Sequence, residues 1–280
     1  MNARRPSLVI ATIVALLALP AAGWAAEDVS IQSGAGGQQL VIKGSDGGDH
    51  VTIGLDSSGS DFVLNGYFPG SVPGSCQAEK PQKKLLCRTA GITEVLVDLG
   101  AANDKLEILD PLPSTVIAHL GSGNDRMSGN GEPDTCYMDG GAKKQCLLGG
   151  GDDTCIGGPG RGDCYGGPGN DSYAAMANPD GFWGGQGADV CRMGPGNDEC
   201  YGDAGNDLCS MGGGNDLCQG GPGDDVCRGG GGNDACEGEG GNDTLIGGPG
   251  IDRILGGAGR DSCDAGPGPA HVRSCESGPG

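Results

Sequence analysis

Gly202-Asp203-Ala204-Gly205-Asn206-Asp207-Leu208-Cys209-Ser210 runs directly into Met211-Gly212-Gly213-Gly214-Asn215-Asp216-Leu217-Cys218-Gln219, and then into Gly220-Gly221-Pro222-Gly223-Asp224-Asp225-Val226-Cys227-Arg228. Each stretch is nine residues long, with Gly at the fourth place, Asp at the sixth and Cys at the eighth. A period this short and strict marks a solenoid of small repeated coils, not a globular domain with one core. Outward from these blocks the phase holds from Leu120 to Asp264, as sixteen blocks with one extra residue near Asp139 to Ala142.

Each block reads as a six-residue Gly-rich turn followed by a three-residue strand. Gly at places one, two and four permits the positive φ angles such a turn needs. Strand side chains alternate faces, so the strand centre at place eight is expected to be the one inward side chain. Two blocks make a coil, and residues eighteen apart stack about 4.8 Å apart as parallel strands. The expected fold is all-β, essentially without helix. It is a right-handed parallel β-roll, or β-solenoid, of nine-residue repeats, preceded by an irregular β-rich N-terminal region. Eight coils make a rod of roughly 38 Å.

Place six is Asp at Asp125, Asp134, Asp153, Asp171, Asp180, Asp189, Asp198, Asp207, Asp216, Asp225, Asp234, Asp243, Asp252 and Asp261. Stacking at eighteen residues sorts them into two files, one along each edge of the roll. The first runs from Asp134 through Asp153, Asp171, Asp189, Asp207, Asp225 and Asp243 to Asp261. The second starts at Asp125, meets Lys144 and Gly162 at place six, and resumes from Asp180 to Asp252. Carboxylates about 5 Å apart repel strongly unless cations lie between the rungs. Ca²⁺ suits the site, because it takes six to eight oxygens from carboxylates and carbonyls in tolerant geometry. Mg²⁺ suits it less, holding tighter octahedral geometry and its own waters. Asp also favours turns for its own reasons. One Gly-x-Asp would fit that simpler account; fourteen in phase do not.

The formal net charge is −20, which argues against nucleic acid or an anionic membrane surface as partner. Gly is 61 of 280 residues and aromatics are 4%, so no ordinary packed core of this size can form. Arg4 and Arg5 precede an apolar run from Leu8 to Leu19, and small residues follow to Ala25. Residues 1–25 therefore read as a Sec-type secretory signal peptide, and no later apolar run is long enough to span a bilayer. The mature chain is expected to be exported, to the periplasm, cell surface or medium.

Residues 26–119 form the β-rich N-terminal region, with short strand-like runs such as Gln39-Leu40-Val41-Ile42 and Thr93-Glu94-Val95-Leu96-Val97 between turns. Two fragments there hint at the repeat, Gly44-Ser45-Asp46-Gly47-Gly48-Asp49-His50-Val51 and Gly100-Ala101-Ala102-Asn103-Asp104-Lys105-Leu106. Residues 67–89, rich in Pro and Lys, read as an excursion. The roll occupies 120–264, and 265–280 form a C-terminal cap or tail.

Fourteen cysteines behind a secretory signal read as disulfides. Taken in consecutive pairs, the place-eight residues are Cys136–Cys146, Cys155–Cys164, Tyr173/Phe182, Cys191–Cys200, Cys209–Cys218, Cys227–Cys236, Leu245/Ile254, and Cys263 with Cys275 of the tail. Every Cys finds a Cys, the aromatics meet, and so do the aliphatics. With Cys76–Cys87 closing the excursion, seven bridges are expected. Each nine-residue pairing needs Cα atoms within about 7 Å across the interior. Cys acting as a small buried hydrophobe, or as a thiolate metal column, are the alternatives.

The block resembles the Gly-Gly-x-Gly-x-Asp-x-apolar-x nonapeptide of RTX-type (haemolysin-type) calcium-binding proteins, over residues 120–264. The resemblance implies a parallel β-roll with calcium ions between Asp-bearing turns, at the fourteen positions named and not at Lys144 or Gly162. Two features depart from the pattern: cysteine at place eight, where the family has Leu, Ile or Val, and an N-terminal secretory signal. The only histidines are His50, His119 and His271, without a paired-His motif, and no enzymatic activity is expected. The leading expectation is a secreted, monomeric calcium-binding protein. The alternative is a surface or matrix adhesion protein that uses the roll as a rigid calcium-dependent spacer. In that case Tyr67 and Phe68 would sit near the contact with an envelope or extracellular-matrix partner.

Overall fold

The computed structural model describes residues 26–33, 37–56, 61–65, 76–79, 84–88, 91–110 and 112–275. The expected signal peptide, Tyr67, Phe68 and most of the 67–89 excursion lie outside the described residues. Among these residues the chain is all-β with no helix, a parallel β-solenoid of about ten turns. No described helix is long and apolar enough to cross a membrane.

Successive array strands alternate between two sheets, of twelve and fourteen strands. Leu208–Ser210 lies in one and Leu217–Pro222 in the other. Within a sheet the register advances by eighteen residues, as in Val190↔Leu208, Cys191↔Cys209 and Leu208↔Val226. It advances by nineteen at Met127↔Cys146 and Cys136↔Cys155, where the extra residue is absorbed.

Both sheets continue unbroken on the N-terminal side of Leu120. Thr115–His119 pairs in parallel with Ile92–Asp98, which pairs in parallel with Gln38–Gly44. In the other sheet Asn124–Ser128, Lys105–Ile108 and His50–Leu55 are parallel neighbours. Antiparallel strands Asp61–Asn65, Lys84–Arg88 and Cys76–Glu79 extend that sheet further. On the first sheet Ala26–Ser33 closes the edge, antiparallel to Gln38–Gly44.

The inward face is wider than the place-eight reading allowed. Alternation continues into the turns, so places six, eight and one of the next block all point inward: Asp207, Cys209 and Met211 are buried, with Leu208 and Ser210 between them only partly so. Place one therefore supplies Leu148, Met193 and Met211 to the core. Gly at most other place-one positions has no side chain to reveal that direction. Tyr173 and Phe182 meet across the interior with ring centroids 6.0 Å apart. Leu245 and Ile254 are likewise buried.

Candidate metal centre

The Asp files are the most regular feature of the interior. Along the first, the backbone N–H of Asp189 donates to Asp207 Oδ1 (2.8 Å), Asp207 N–H to Asp225 Oδ1 (2.7 Å) and Asp225 N–H to Asp243 Oδ1 (2.9 Å). The same link joins Asp134 to Asp153, Asp153 to Asp171, Asp171 to Asp189 and Asp243 to Asp261. The second file repeats it from Asp180 through Asp198, Asp216 and Asp234 to Asp252. One oxygen of each carboxylate in these links is thus committed to holding the preceding coil in register.

The other oxygen is not. Oδ2 of Asp153, Asp171, Asp180, Asp189, Asp198, Asp207, Asp216, Asp225, Asp234, Asp243 and Asp252 is buried with no hydrogen-bond partner. A buried carboxylate oxygen without a partner carries a desolvation cost that a cation or a proton must offset. Burial drives the carboxyls of Asp153, Asp180, Asp189, Asp216 and Asp225 upward, to about 8 for Asp153 and about 7 for the other four. The backbone hydrogen bond to Oδ1 opposes the rise, and for these five the neighbouring carboxylates of the file add to it. Asp134 and Asp171 rise to about 6, again by burial.

A bare place-one glycine lies beside the Oδ2 of Asp171, Asp189, Asp207, Asp225, Asp234, Asp243 and Asp252. A Cβ on Gly202 would stand 2.4 Å from Asp207 Oδ2 and 2.6 Å from the carbonyl oxygen of Gly220, one coil on. The corresponding distances at Gly238 are 2.1 Å to Asp243 Oδ2 and 2.5 Å to Gly256 O. Glycine leaves open the space on which a carboxylate oxygen and a backbone carbonyl converge. Among the described residues no three His, Cys, Asp or Glu side chains gather on one point. A cation held here would complete its shell with carbonyls, an all-oxygen donor set that fits Ca²⁺ and not a thiophilic metal.

The second file reaches further back than the fourteen aspartates of the array. Asp49 N–H donates to Asp104 Oδ1 (2.5 Å) and Asp104 N–H to Asp125 Oδ1 (2.7 Å), both carboxylates being buried. Asp104 Oδ2 is another buried, unpartnered oxygen, and burial lifts that carboxyl to about 7. The fragments at Gly44–Val51 and Gly100–Leu106 carried the signal, but the insertions around them broke the period. Asp180 keeps its place in the file although its turn lacks the usual glycines. Asn178 takes the positive φ there (84°), and Gly162 N–H binds Asp180 Oδ1 at 2.6 Å.

The cysteine ladder differs in part from the sequence expectation. Bridges join Cys76–Cys87, Cys136–Cys146, Cys155–Cys164, Cys200–Cys209 and Cys263–Cys275. Cys200–Cys209 replaces the expected Cys191–Cys200 and Cys209–Cys218, and leaves Cys191 and Cys218 as thiols. Cys227 and Cys236 are unbonded, with sulphurs 2.7 Å apart. In the run from Cys191 to Cys236 each sulphur faces two opposite-sheet neighbours, nine residues before and nine after. Spacing alone cannot choose between them. The interior is narrow enough for either choice, with Cα atoms 6.4 Å apart at Cys200–Cys209.

Stacked coils that align buried carboxylates beside turn carbonyls define a class: parallel β-solenoids built to hold hard cations within their turns. Residues 165–200, 194–218, 212–236 and 237–269 match the RTX calcium-binding nonapeptide repeat, in four copies. Residues 165–269 of the solenoid are therefore built of RTX-type (haemolysin-type) calcium-binding repeats. No curated protein matches the chain.

Proposed function

We propose that this chain is an exported, non-enzymatic calcium-binding protein whose roll closes around several Ca²⁺ ions, with disulfides tethering its coils. The observation that carries this reading is the buried, unpartnered Oδ2 repeated from Asp153 to Asp252. Thirteen of the fourteen place-six aspartates, with Asp104 ahead of them, are the assigned ligands, helped by carbonyls of the Gly-rich turns; Asp125 is set apart because its Oδ2 meets Lys144 Nζ. Without calcium these carboxylates must take up protons, repel or separate. With calcium at the millimolar levels found outside cells, ion binding becomes part of the folding free energy. The bridges keep the open chain short, so closure requires little chain entropy.

Far-UV circular dichroism of the oxidised protein during a calcium titration tests the reading, with magnesium as the control. A cooperative gain of β signal in calcium and a weaker response to magnesium support it. A spectrum fully formed in chelator and unmoved by calcium would refute calcium-coupled folding. The adhesion alternative has one observation in its favour: Tyr165, Trp183 and Tyr201 stack half-buried along one sheet, with ring centroids 4.4 and 5.6 Å apart. Binding to envelope material that is lost on replacing Trp183 would favour that reading.

A further inference from the structure

The second file contains one position where the cation belongs to the protein. Lys144 stands at place six, in register with Asp125 on one side and Gly162 on the other. It is 2% exposed. Its Nζ lies 2.5 Å from Asp125 Oδ2 and donates to the carbonyl oxygen of Gly123 at 2.9 Å. Those two acceptors are a place-six carboxylate and a place-four turn carbonyl, one coil back. They are the donor types that the repeat offers at every coil. From Asp153 to Asp252 the equivalent Oδ2 has no partner, whereas at Asp125 an ammonium meets it.

The surroundings agree. Gly162 follows Lys144 in the file, so the next coil brings no place-six carboxylate to repel or to bind. Place five of the same two coils carries Lys143 and Arg161, and both reach the buried carboxylate of Asp163, at 3.6 and 3.0 Å. A stretch of the otherwise acidic roll thus supplies its own positive charge where the Asp file lapses. A long cationic side chain buried to this degree is stable only when paired and hydrogen-bonded, as this one is.

We propose that the Lys144 ammonium is a tethered substitute for a calcium ion, holding the coils of Asp104, Asp125 and Lys144 together when calcium is absent. This rests on the calcium reading above and extends it. A metal ion leaves with chelator, but an ammonium on a buried side chain cannot. The roll then has a calcium-independent segment near its N-terminal end, onto which the calcium-dependent coils beyond Asp180 assemble. Closure acquires a direction, from Lys144 towards Asp261.

Hydrogen exchange on the full-length oxidised protein in EDTA tests this. Strands Asn124–Ser128 and Lys143–Leu147 should stay protected while Val190–Arg192 through Ser262–Asp264 exchange freely. Disulfides cross both regions, so Lys144→Gln, which leaves every bridge in place, should raise exchange of 124–147 by roughly a hundred- to several-thousandfold, as expected for breaking a buried pair. Lys144→Asp restores the repeat. It should bind one more calcium per chain than the wild type by equilibrium dialysis, and protect 124–147 only when calcium is present. The proposal is overturned if 124–147 exchange in EDTA as fast as 190–264 in the wild type, or if Lys144→Gln leaves them protected. It is also overturned if Lys144→Asp takes up no extra calcium while the wild type binds it. A wild type that binds no calcium would instead remove the underlying reading, and does so in the dialysis before any variant is compared.

Discussion

Two adjacent glycines should respond to the same substitution with opposite signs. Gly232 stands at place four with φ of +142°, and a Cβ there would lie 1.5 Å from the carbonyl oxygen of Gly214 in the preceding coil. Contacts below 3.0 Å are essentially never made by real Cβ atoms, so Gly232→Ala must force the two coils apart by at least about 1.5 Å at that point. The Gly214 N–H bond to Gly231 O (2.8 Å) and the Asn233 N–H bond to Asn215 Oδ1 (2.8 Å) both span that gap. Losing two hydrogen bonds and holding alanine at positive φ together cost roughly 3–5 kcal/mol. Gly231, its neighbour, has nothing within 4 Å of an added Cβ and no positive φ. There alanine reduces only the freedom of the unfolded chain, a gain of about 0.4–1 kcal/mol. For a chain of this size that separates the two variants by roughly 7–20 °C in Tm. Thermal melts of both oxidised variants in saturating calcium, followed by far-UV circular dichroism, measure the difference. Melts within a degree or two of each other, or in reversed order, would refute the close stacking of place-four turns.

Asp207→Asn keeps an oxygen for the Asp189 N–H but removes a buried charge. It should therefore weaken calcium binding in isothermal titration while leaving the chelated roll as stable as the wild type or more so; weakening in both states would contradict the division of labour between Oδ1 and Oδ2. The carboxyls of Asp153, Asp189 and Asp225 are raised from 3.8 in the unfolded chain to about 8, 7 and 7 in the ion-free fold. Such groups favour the fold fully below pH about 4, and that support is lost as pH rises through 7 to 8. In EDTA the roll should thus be most stable in mild acid, with calcium flattening the profile; a chelated protein that gains stability between pH 5 and 8 would contradict this. Calcium added at pH 7 should release protons into weak buffer, and a titration without proton release counts against carboxyls that are part-protonated before binding. Alkylation of the denatured, unreduced protein should label Cys191 and Cys218 and spare Cys200 and Cys209, whereas labelling of neither pair would restore the alternating bridges.

Much of the architecture was legible because the repeat states it many times over. An error in reading one turn is corrected by its neighbours, and the phase of Asp at place six places every carboxylate on the same edge of every second block. The interior pairing of Tyr173 with Phe182 followed from the same phase. Place one reads ambiguously because glycine hides which way its position points, and Leu120, Leu148, Met193 and Met211 betray it. Asp49 and Asp104 were passed over for a different reason. Fifty-five residues separate them, so no period of nine or eighteen links them, yet parallel pairing across the insertion puts Asp49 N–H 2.5 Å from Asp104 Oδ1.

Sequence alone determined the coil, its period and the acidic files, because these depend on local pattern repeated in phase. Tertiary structure decided everything that depends on choosing among equivalent neighbours. Cys200 had Cys191 and Cys209 at the same spacing, and the folded structure bonds it to Cys209. Each aspartate has two chemically equal oxygens, and only the preceding coil's backbone N–H makes Oδ1 structural and leaves Oδ2 without a hydrogen-bond partner. Lys144 reads in the sequence as a lapse in the repeat. Stacked one coil beyond Asp125, its four-carbon stem carries a positive charge back to Asp125 Oδ2, whose equivalents from Asp153 to Asp252 have no partner.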